Sequence, residues 1–234
     1  MKIQGSTALV TGANRGLGLA FAKALLAAGA AKVYAGARDP ATVTLPGVIP
    51  VKLDVTHDHD IAAAAQALSD VDIVINNAGI AHGAPLLDAE GGVQSLRELL
   101  ETNLHGVHAV SRAFAPVLKA NGGGALVNML SALSWTSLDN SGAYSVSKAA
   151  AWALTNGLRN ELRGQGTQVV AVHAGYIDTD MTAHVDAPKS NPHDIAQRVI
   201  DGIAQGQLEV LADDTSRQVK AGFGATPSFY LGAA

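Results

Sequence analysis

Tyr144 and Lys148 stand four residues apart in Tyr144-Ser145-Val146-Ser147-Lys148, and Ser131 lies thirteen residues ahead of the tyrosine. On a helix, that spacing brings a phenol and an ammonium to one face. A free phenol has a pKa of about 10 and neither gives nor takes a proton readily at neutral pH. A neighbouring positive charge favours the phenolate, so the spacing predicts a lowered pKa for Tyr144 and an acid/base role. Ser131 closes the apolar run Ala125-Leu126-Val127-Asn128-Met129-Leu130, which reads as a buried strand. Its hydroxyl is expected at the carboxyl end of that strand, where open α/β sheets bind ligands. A Tyr and a Lys at this spacing also occur on helices with no chemistry, so the surrounding elements have to supply the case.

Composition bounds what those elements can be. The chain has 234 residues, 48% hydrophobic and 15% charged, enough to bury a sizeable core in one domain spanning 1–234. A formal net charge of -4 carries no basic surplus, which argues against nucleic acid as a partner. With no cysteine, disulfides, thiolate metal sites and cysteine nucleophiles are excluded. No apolar run reaches the length of a membrane span, and no secretory leader pattern opens the chain. A cytoplasmic protein with no membrane partner is the expectation.

In chain order, Ser6 to Val10 reads as a strand. Thr11-Gly12-Ala13-Asn14-Arg15-Gly16-Leu17-Gly18 follows, then a helical pattern that stops at Gly29. Strand, glycine loop and helix open a dinucleotide-binding unit, because glycines admit a pyrophosphate close to the backbone and the helix N-terminus offers unpaired N–H groups. The spacing is Gly-x-x-x-Gly-x-Gly, and a glycine-rich turn without a ligand is the plain alternative. Lys32 to Gly36 forms a second strand with Arg38 just beyond it. Arg38 and Arg15 could meet a 2′-phosphate and favour NADP over NAD, or could be solvated surface charges. Asp39, before Pro40, reads as a turn or cap residue. Strands are also expected at Val48 to Leu53, Val71 to Ile75, Gln168 to His173 and Leu208 to Leu211. Long helices are expected at Leu96 to Leu118, holding Asn103, His105 and His108, and at about Ala143 to Arg163. Leu133 to Ser141 is expected to be loop, Asn191-Pro192 to start another helix, and the chain from Asp213 to be irregular. His57-Asp58-His59-Asp60 reads as a polar helix start rather than a metal cluster, so no metal is expected. The alternation predicts a Rossmann-like, doubly wound parallel α/β sheet of about seven strands with helices on both faces.

Taken together, the motifs TGANRGLG at 11–18, Asp54-Val55, Asn76-Asn77-Ala78-Gly79, Asn103, Ser131 and Tyr144-x-x-x-Lys148 resemble the short-chain dehydrogenase/reductase family over about residues 5 to 212. The resemblance implies roles residue by residue. Tyr144 would be the acid for carbonyl reduction or the base for alcohol oxidation. Lys148 would lower its pKa and hold the nicotinamide ribose, Ser131 would bind the substrate oxygen, and Asn103 would hold a relay water. Gly12, Asn14, Arg15, Gly16, Leu17, Gly18 and Arg38 would meet the phosphates. Asp54 and Val55 would flank the adenine, and Asn77, Ala78 and Gly79 would line the adenosine ribose. Gly175, Ile177 and Thr179 would lie at the nicotinamide side. It further implies NADP(H), a small carbonyl or alcohol substrate, and a homodimer or homotetramer. The family's usual Pro-Gly after the sixth strand is Ala174-Gly175 here, which predicts a freer loop. The short stretch between Thr179 and Pro192 predicts an open site. Leu133, Trp135, Tyr176 and His82 are candidate pocket walls. An NADP sensor without catalysis, an enone C=C reductase and an epimerase are alternatives on the same fold.

Overall fold

The computed structural model describes residues 1–82, 84–139 and 141–231. Asn140 of the expected loop and residues 232–234 of the tail lie outside the described residues. Seven strands form one sheet: β1 (Thr7–Thr11), β2 (Lys32–Ala37), β3 (Ile49–Lys52), β4 (Ile73–Asn76), β5 (Ala125–Met129), β6 (Gln168–His173) and β7 (Glu209–Leu211). Their order is β3-β2-β1-β4-β5-β6-β7, and every pair is parallel. Parallel neighbours need crossovers, and helices supply them. These are α1 (Gly16–Ala27), α2 (Asp58–Ala67), α3 (Gly92–Leu100), α4 (Val107–Ala120), α5 (Gly142–Leu162), α6 (Pro192–Ala204) and α7 (Asp214–Ala221).

Successive strand residues point to opposite faces, so a strand buried on both sides reads as continuous apolar sequence. Val10, Ile75, Val127 and Val172 face Phe21 and Leu25 of α1 and Ile195, Val199 and Ile203 of α6. Leu9, Val74, Leu126 and Val169 face Ile61 of α2, Val110, Phe114 and Leu118 of α4, and Leu158 and Leu162 of α5. This is the doubly wound sheet expected from the alternation. The winding reverses between β1 and β4, which opens a crevice at their carboxyl ends.

Two expectations for the chain are corrected. The helix expected from Leu96 to Leu118 begins earlier, at Gly92, and is interrupted by a π turn at Glu101–Gly106, with Asn103 inside it. One extra residue per turn leaves the apolar pattern on either side intact, so periodicity does not reveal it. The chain from Asp213 is not irregular throughout. Asp213 caps α7, its side chain accepting from Ser216 N–H at 2.8 Å while Ser216 Oγ reaches back to the cap. Eight residues, six of them polar, with a reciprocal cap make a helix with little apolar signal.

Candidate active site

The crevice is built around Thr11 at the end of β1. Its hydroxyl accepts the N–H groups of Asn77 (3.0 Å) and Ala78 (2.9 Å), and Asn77 Nδ2 donates to the Thr11 carbonyl at 2.9 Å. The 76–79 turn is thereby fastened to the glycine loop across the switch point. Gly12 has φ +63°, and a Cβ there would come 3.1 Å from Ala78 Cα. A Cβ on Gly18 would lie 2.1 Å from the Gly12 carbonyl oxygen, closer than any real contact. Both glycines are therefore required by close backbone approach, and they leave the N-terminus of α1 open above the loop. That cradle fits a dinucleotide pyrophosphate. Asn14 Nδ2 donates to Thr42 Oγ1 at 3.1 Å, linking the loop to the turn after β2, where Asp39 accepts Ala41 N–H as a cap. Arg38 is exposed beside that turn; burial opposes ionisation of Asp54, but hydrogen bonds from Thr56 and, to a smaller degree, the charges nearby hold its carboxyl below the usual range. Arg15 turns the other way and pairs with Asp180 at 2.9 Å. Thr179 follows the same direction: its Cγ2 lies 3.4 Å from where a Gly16 Cβ would be. Val55 packs in the core beside Gly106 of the π turn.

The structure brings Ser131, Tyr144, Lys148 and Asn103 together from three elements. Ser131 lies just beyond β5 and caps the 3-10 turn Ala132–Ser134; its hydroxyl donates to the Ala174 carbonyl at 3.5 Å and stands beside the Tyr144 phenol, whose ionisation it favours. Tyr144 and Lys148 share a face of α5, with the Lys148 Nζ 5.7 Å from the Tyr144 ring centroid. Lys148 is 6% exposed, and its ammonium donates to the Met129 carbonyl at 2.8 Å. Burial pushes the Lys148 pKa down to about 8. The expectation for Tyr144 is corrected. Burial pushes its phenol up to about 12, the Ser131 hydroxyl beside it opposes this, and Tyr176 adds to it. Four-residue spacing brings the lysine near the ring, but Nζ turns to a backbone carbonyl, so desolvation decides the sign. Asn103 is fully buried. Its Oδ1 accepts Ile80 N–H at 2.9 Å, and its Nδ2 donates to the Ile80 carbonyl (2.9 Å) and to Ser147 Oγ (3.0 Å). Gly79 lies beside it, 3.0 Å from Asn103 Oδ1 by the position a Cβ would take.

The loop after β6 is not freed by the lack of a proline. Gly175 N–H donates to Asp213 Oδ2 at 2.7 Å. Two pocket-wall expectations also change. Trp135 is buried under the C-terminal segment, stacked on His173 at 3.8 Å between centroids and edge-on to Phe223. His82 faces Glu98 at 3.9 Å. Tyr176 stands close enough to Tyr144 to oppose ionisation of its phenol and so borders the site, and Leu133 is half-buried on the turn after Ser131. Sequence reasoning missed His173. It is fully buried, with Nδ1 2.9 Å from the Ser131 carbonyl oxygen. Nε2 has no hydrogen-bond partner among the described residues, and burial pushes the pKa down to about 4. A neutral ring donating from Nδ1 therefore fixes the backbone of Ser131. The one signal for it is a histidine closing an apolar strand.

Among the described residues, no group of three or more His, Asp or Glu could hold a metal ion, and no helix is long and apolar enough to cross a membrane. The profile of the short chain dehydrogenase family matches residues 6–190. A short chain dehydrogenase from Burkholderia cenocepacia J2315, solved in complex with NADP, superposes with a TM-score of 0.92 at 38% identity, covering 97% of this chain and 96% of that one. Galactitol 2-dehydrogenase (L-tagatose-forming) from Cereibacter sphaeroides is 34% identical over 77% of this chain and 75% of its own length. Short chain dehydrogenase tazN from Aspergillus terreus is 35% identical over 82% of this chain, a match that spans 46% of that longer protein. The cradle at the switch point and the Ser131–Tyr144–Lys148 cluster both lie within the matched residues 6–190: the chain belongs to the short-chain dehydrogenase family of oxidoreductases.

Proposed function

We propose that the protein is an NADP(H)-dependent oxidoreductase that interconverts a ketone or aldehyde with an alcohol. The observation that carries this reading is the buried Lys148 ammonium 5.7 Å from the Tyr144 ring, with the Ser131 hydroxyl beside that phenol just beyond β5. The nicotinamide cofactor supplies or accepts the hydride. Ser131 holds the substrate oxygen as a preorganised donor, with its backbone fixed by His173. Tyr144 keeps its proton at neutral pH and gives it to that oxygen. Lys148 places a positive charge beside the phenol and loses it above about pH 8. The Asn103 amide has its bonds taken by Ile80 and Ser147, so we assign the relay water to the backbone of the π turn.

Arg38 is the guanidinium we assign to the 2′-phosphate, since Arg15 is engaged with Asp180. The NADP complex of the Burkholderia relative supports that preference. The same reading takes the protein to be a cytoplasmic homodimer or homotetramer, joined through helix faces that include α5.

The test is a fluorescence titration with NADPH and NADH on the wild type and on Arg38→Ala. Tight NADPH binding, weakened about tenfold or more by Arg38→Ala with NADH little changed, supports the reading. No binding of either cofactor overturns it. Product analysis on an enone then separates carbonyl from carbon–carbon reduction.

A further inference from the structure

Asp213 is a buried carboxylate, 4% exposed, and no ion pair holds it among the described residues. It stands where three segments meet. Oδ1 accepts Ser216 N–H at 2.8 Å and caps α7. Oδ2 accepts Gly175 N–H at 2.7 Å and the Ser190 hydroxyl at 3.3 Å. Gly175 is where the chain leaves β6, and Ser190 is where it returns before α6. The excursion between them is closed at its base by backbone bonds from Ser190 N–H to the Tyr176 carbonyl (2.8 Å) and from Asp178 N–H to the Ser190 carbonyl (2.9 Å). Ile177 and Ser190 form a parallel bridge there. The packing is as close as the bonding: a Cβ on Gly175 would lie 2.8 Å from Thr215 Cβ on α7.

The excursion carries Tyr176, which borders Tyr144, and Thr179, which lies against Gly16 of the glycine loop. A single carboxylate therefore holds both ends of the segment facing the site, and ties them to the C-terminal helix. We propose that Asp213 is a positioning residue: through Gly175 and Ser190 it sets the 175–190 segment against the glycine loop, and so makes α7 part of the cofactor-binding apparatus. This assignment rests on the reading that residues 175–179 meet the cofactor.

The physical reason is the geometry of the donors. A carboxylate offers acceptor positions on both oxygens, so it can take Ser216 N–H on one and Gly175 N–H on the other. An amide of the same shape offers one acceptor oxygen and turns an NH2 toward the remaining donor. Asn is as good a helix cap as Asp, so Asp213→Asn keeps α7 and loosens the loop. Serine also caps, but its one short oxygen cannot reach Gly175 as well. Asp213→Ser is thus a second variant with the same expectation, should the amide disturb folding.

The experiment measures NADPH binding, carbonyl turnover and amide hydrogen exchange on the wild type and both variants. Asp213→Asn is expected to raise the NADPH Kd about tenfold, with kcat at saturating NADPH changed about threefold or less, because Ser131, Tyr144 and Lys148 stand on other elements. Exchange in 175–190 should quicken about tenfold or more while α7 keeps its protection. Variants that bind NADPH within about twofold of the wild type, or that exchange 175–190 at the wild-type rate, overturn the proposal. A wild type that binds no NADPH overturns the functional reading instead, and the exchange measurement still judges the clamp.

Discussion

Lys148→Met tests the electrostatics of the site through stability alone. Lys148 is almost fully buried, makes one hydrogen bond through Nζ and has no carboxylate partner among the described residues. Burial takes its pKa from 10.5 to about 8. At about 1.4 kcal/mol per pH unit, keeping it charged in the fold costs roughly 3 kcal/mol. The sign follows from proton counting. Below pH 8 both the folded and the unfolded chain hold the proton, and the full cost is present. Between 8 and 10.5 the unfolded chain still holds a proton that the fold has given up, so stability rises with pH across that window. Above 10.5 neither holds it and the cost is gone. Methionine fills similar space without a charge. It leaves the Met129 carbonyl without its donor, a loss of about 1–3 kcal/mol that does not depend on pH. The readout is therefore the difference between Lys148→Met and wild type in urea unfolding, followed from about pH 7 to about pH 10. That difference should shift against the variant by roughly 2–3 kcal/mol over the range, with groups common to both chains cancelling. Tyr144 does not intrude, because its pKa is raised, from 10 to about 12, so its own window opens only above 10. A difference that stays flat with pH refutes the claim that Lys148 is a desolvated ammonium.

Tyr144→Phe should lower carbonyl reduction by about 10²–10⁴ with NADPH affinity within a few fold, checked by single-turnover kinetics. With the wild-type phenol pushed up to about 12, alcohol oxidation should climb with pH while reduction does not. His173→Phe keeps the ring stacked on Trp135 but leaves the Ser131 carbonyl without its donor, and should cost about 1–3 kcal/mol in urea unfolding at pH 7. His173 has its pKa lowered from 6.5 to about 4, so wild type should lose stability as pH falls through that window and the variant should lose correspondingly less. Gly18→Ala places a methyl 2.1 Å from the Gly12 carbonyl and 2.6 Å from Asn77 Nδ2, so NADPH titration should show binding lost or reduced by orders of magnitude.

The elements that could be read from sequence are those whose cause is local. A glycine loop between an apolar strand and a periodic helix declares itself, and so do strands buried on both faces. The π turn at Glu101–Gly106 does not, because a one-residue insertion leaves Leu99 and Val107 on the apolar face. α7 does not, because its main signal is a cap at Asp213. The partners of Asp213 and His173 are distant in sequence: Gly175 lies 38 residues from Asp213, and Ser131 lies 42 from His173. No spacing rule links them. Tyr144 shows the limit of the four-residue rule. It predicts that two side chains meet, and the structure brings them together, but the direction of the pKa depends on what surrounds them. Here Nζ turns to the Met129 carbonyl, and desolvation of the phenol outweighs the Ser131 hydroxyl beside it.

The two pKa shifts have one cause. Burial disfavours charge, so it raises an acid and lowers a base, moving Tyr144 and Lys148 toward their neutral forms together. A site built only for stability would not keep them. Replacing a buried charge by an apolar side chain of similar volume is often neutral or stabilising. At neutral pH the fold instead keeps an ammonium with one hydrogen bond at a cost of roughly 3 kcal/mol, a sizeable part of the 5–15 kcal/mol by which folded domains are stable. The two apolar layers on either face of the sheet can offset that cost, but they do not explain it. In the proposed reaction the charge stands 5.7 Å from the phenol ring, beside a serine whose backbone is fixed by a second desolvated base. The expense of Lys148 is therefore an argument for chemistry at Tyr144 that is independent of any likeness to other proteins, and a stability measurement can test it without a substrate.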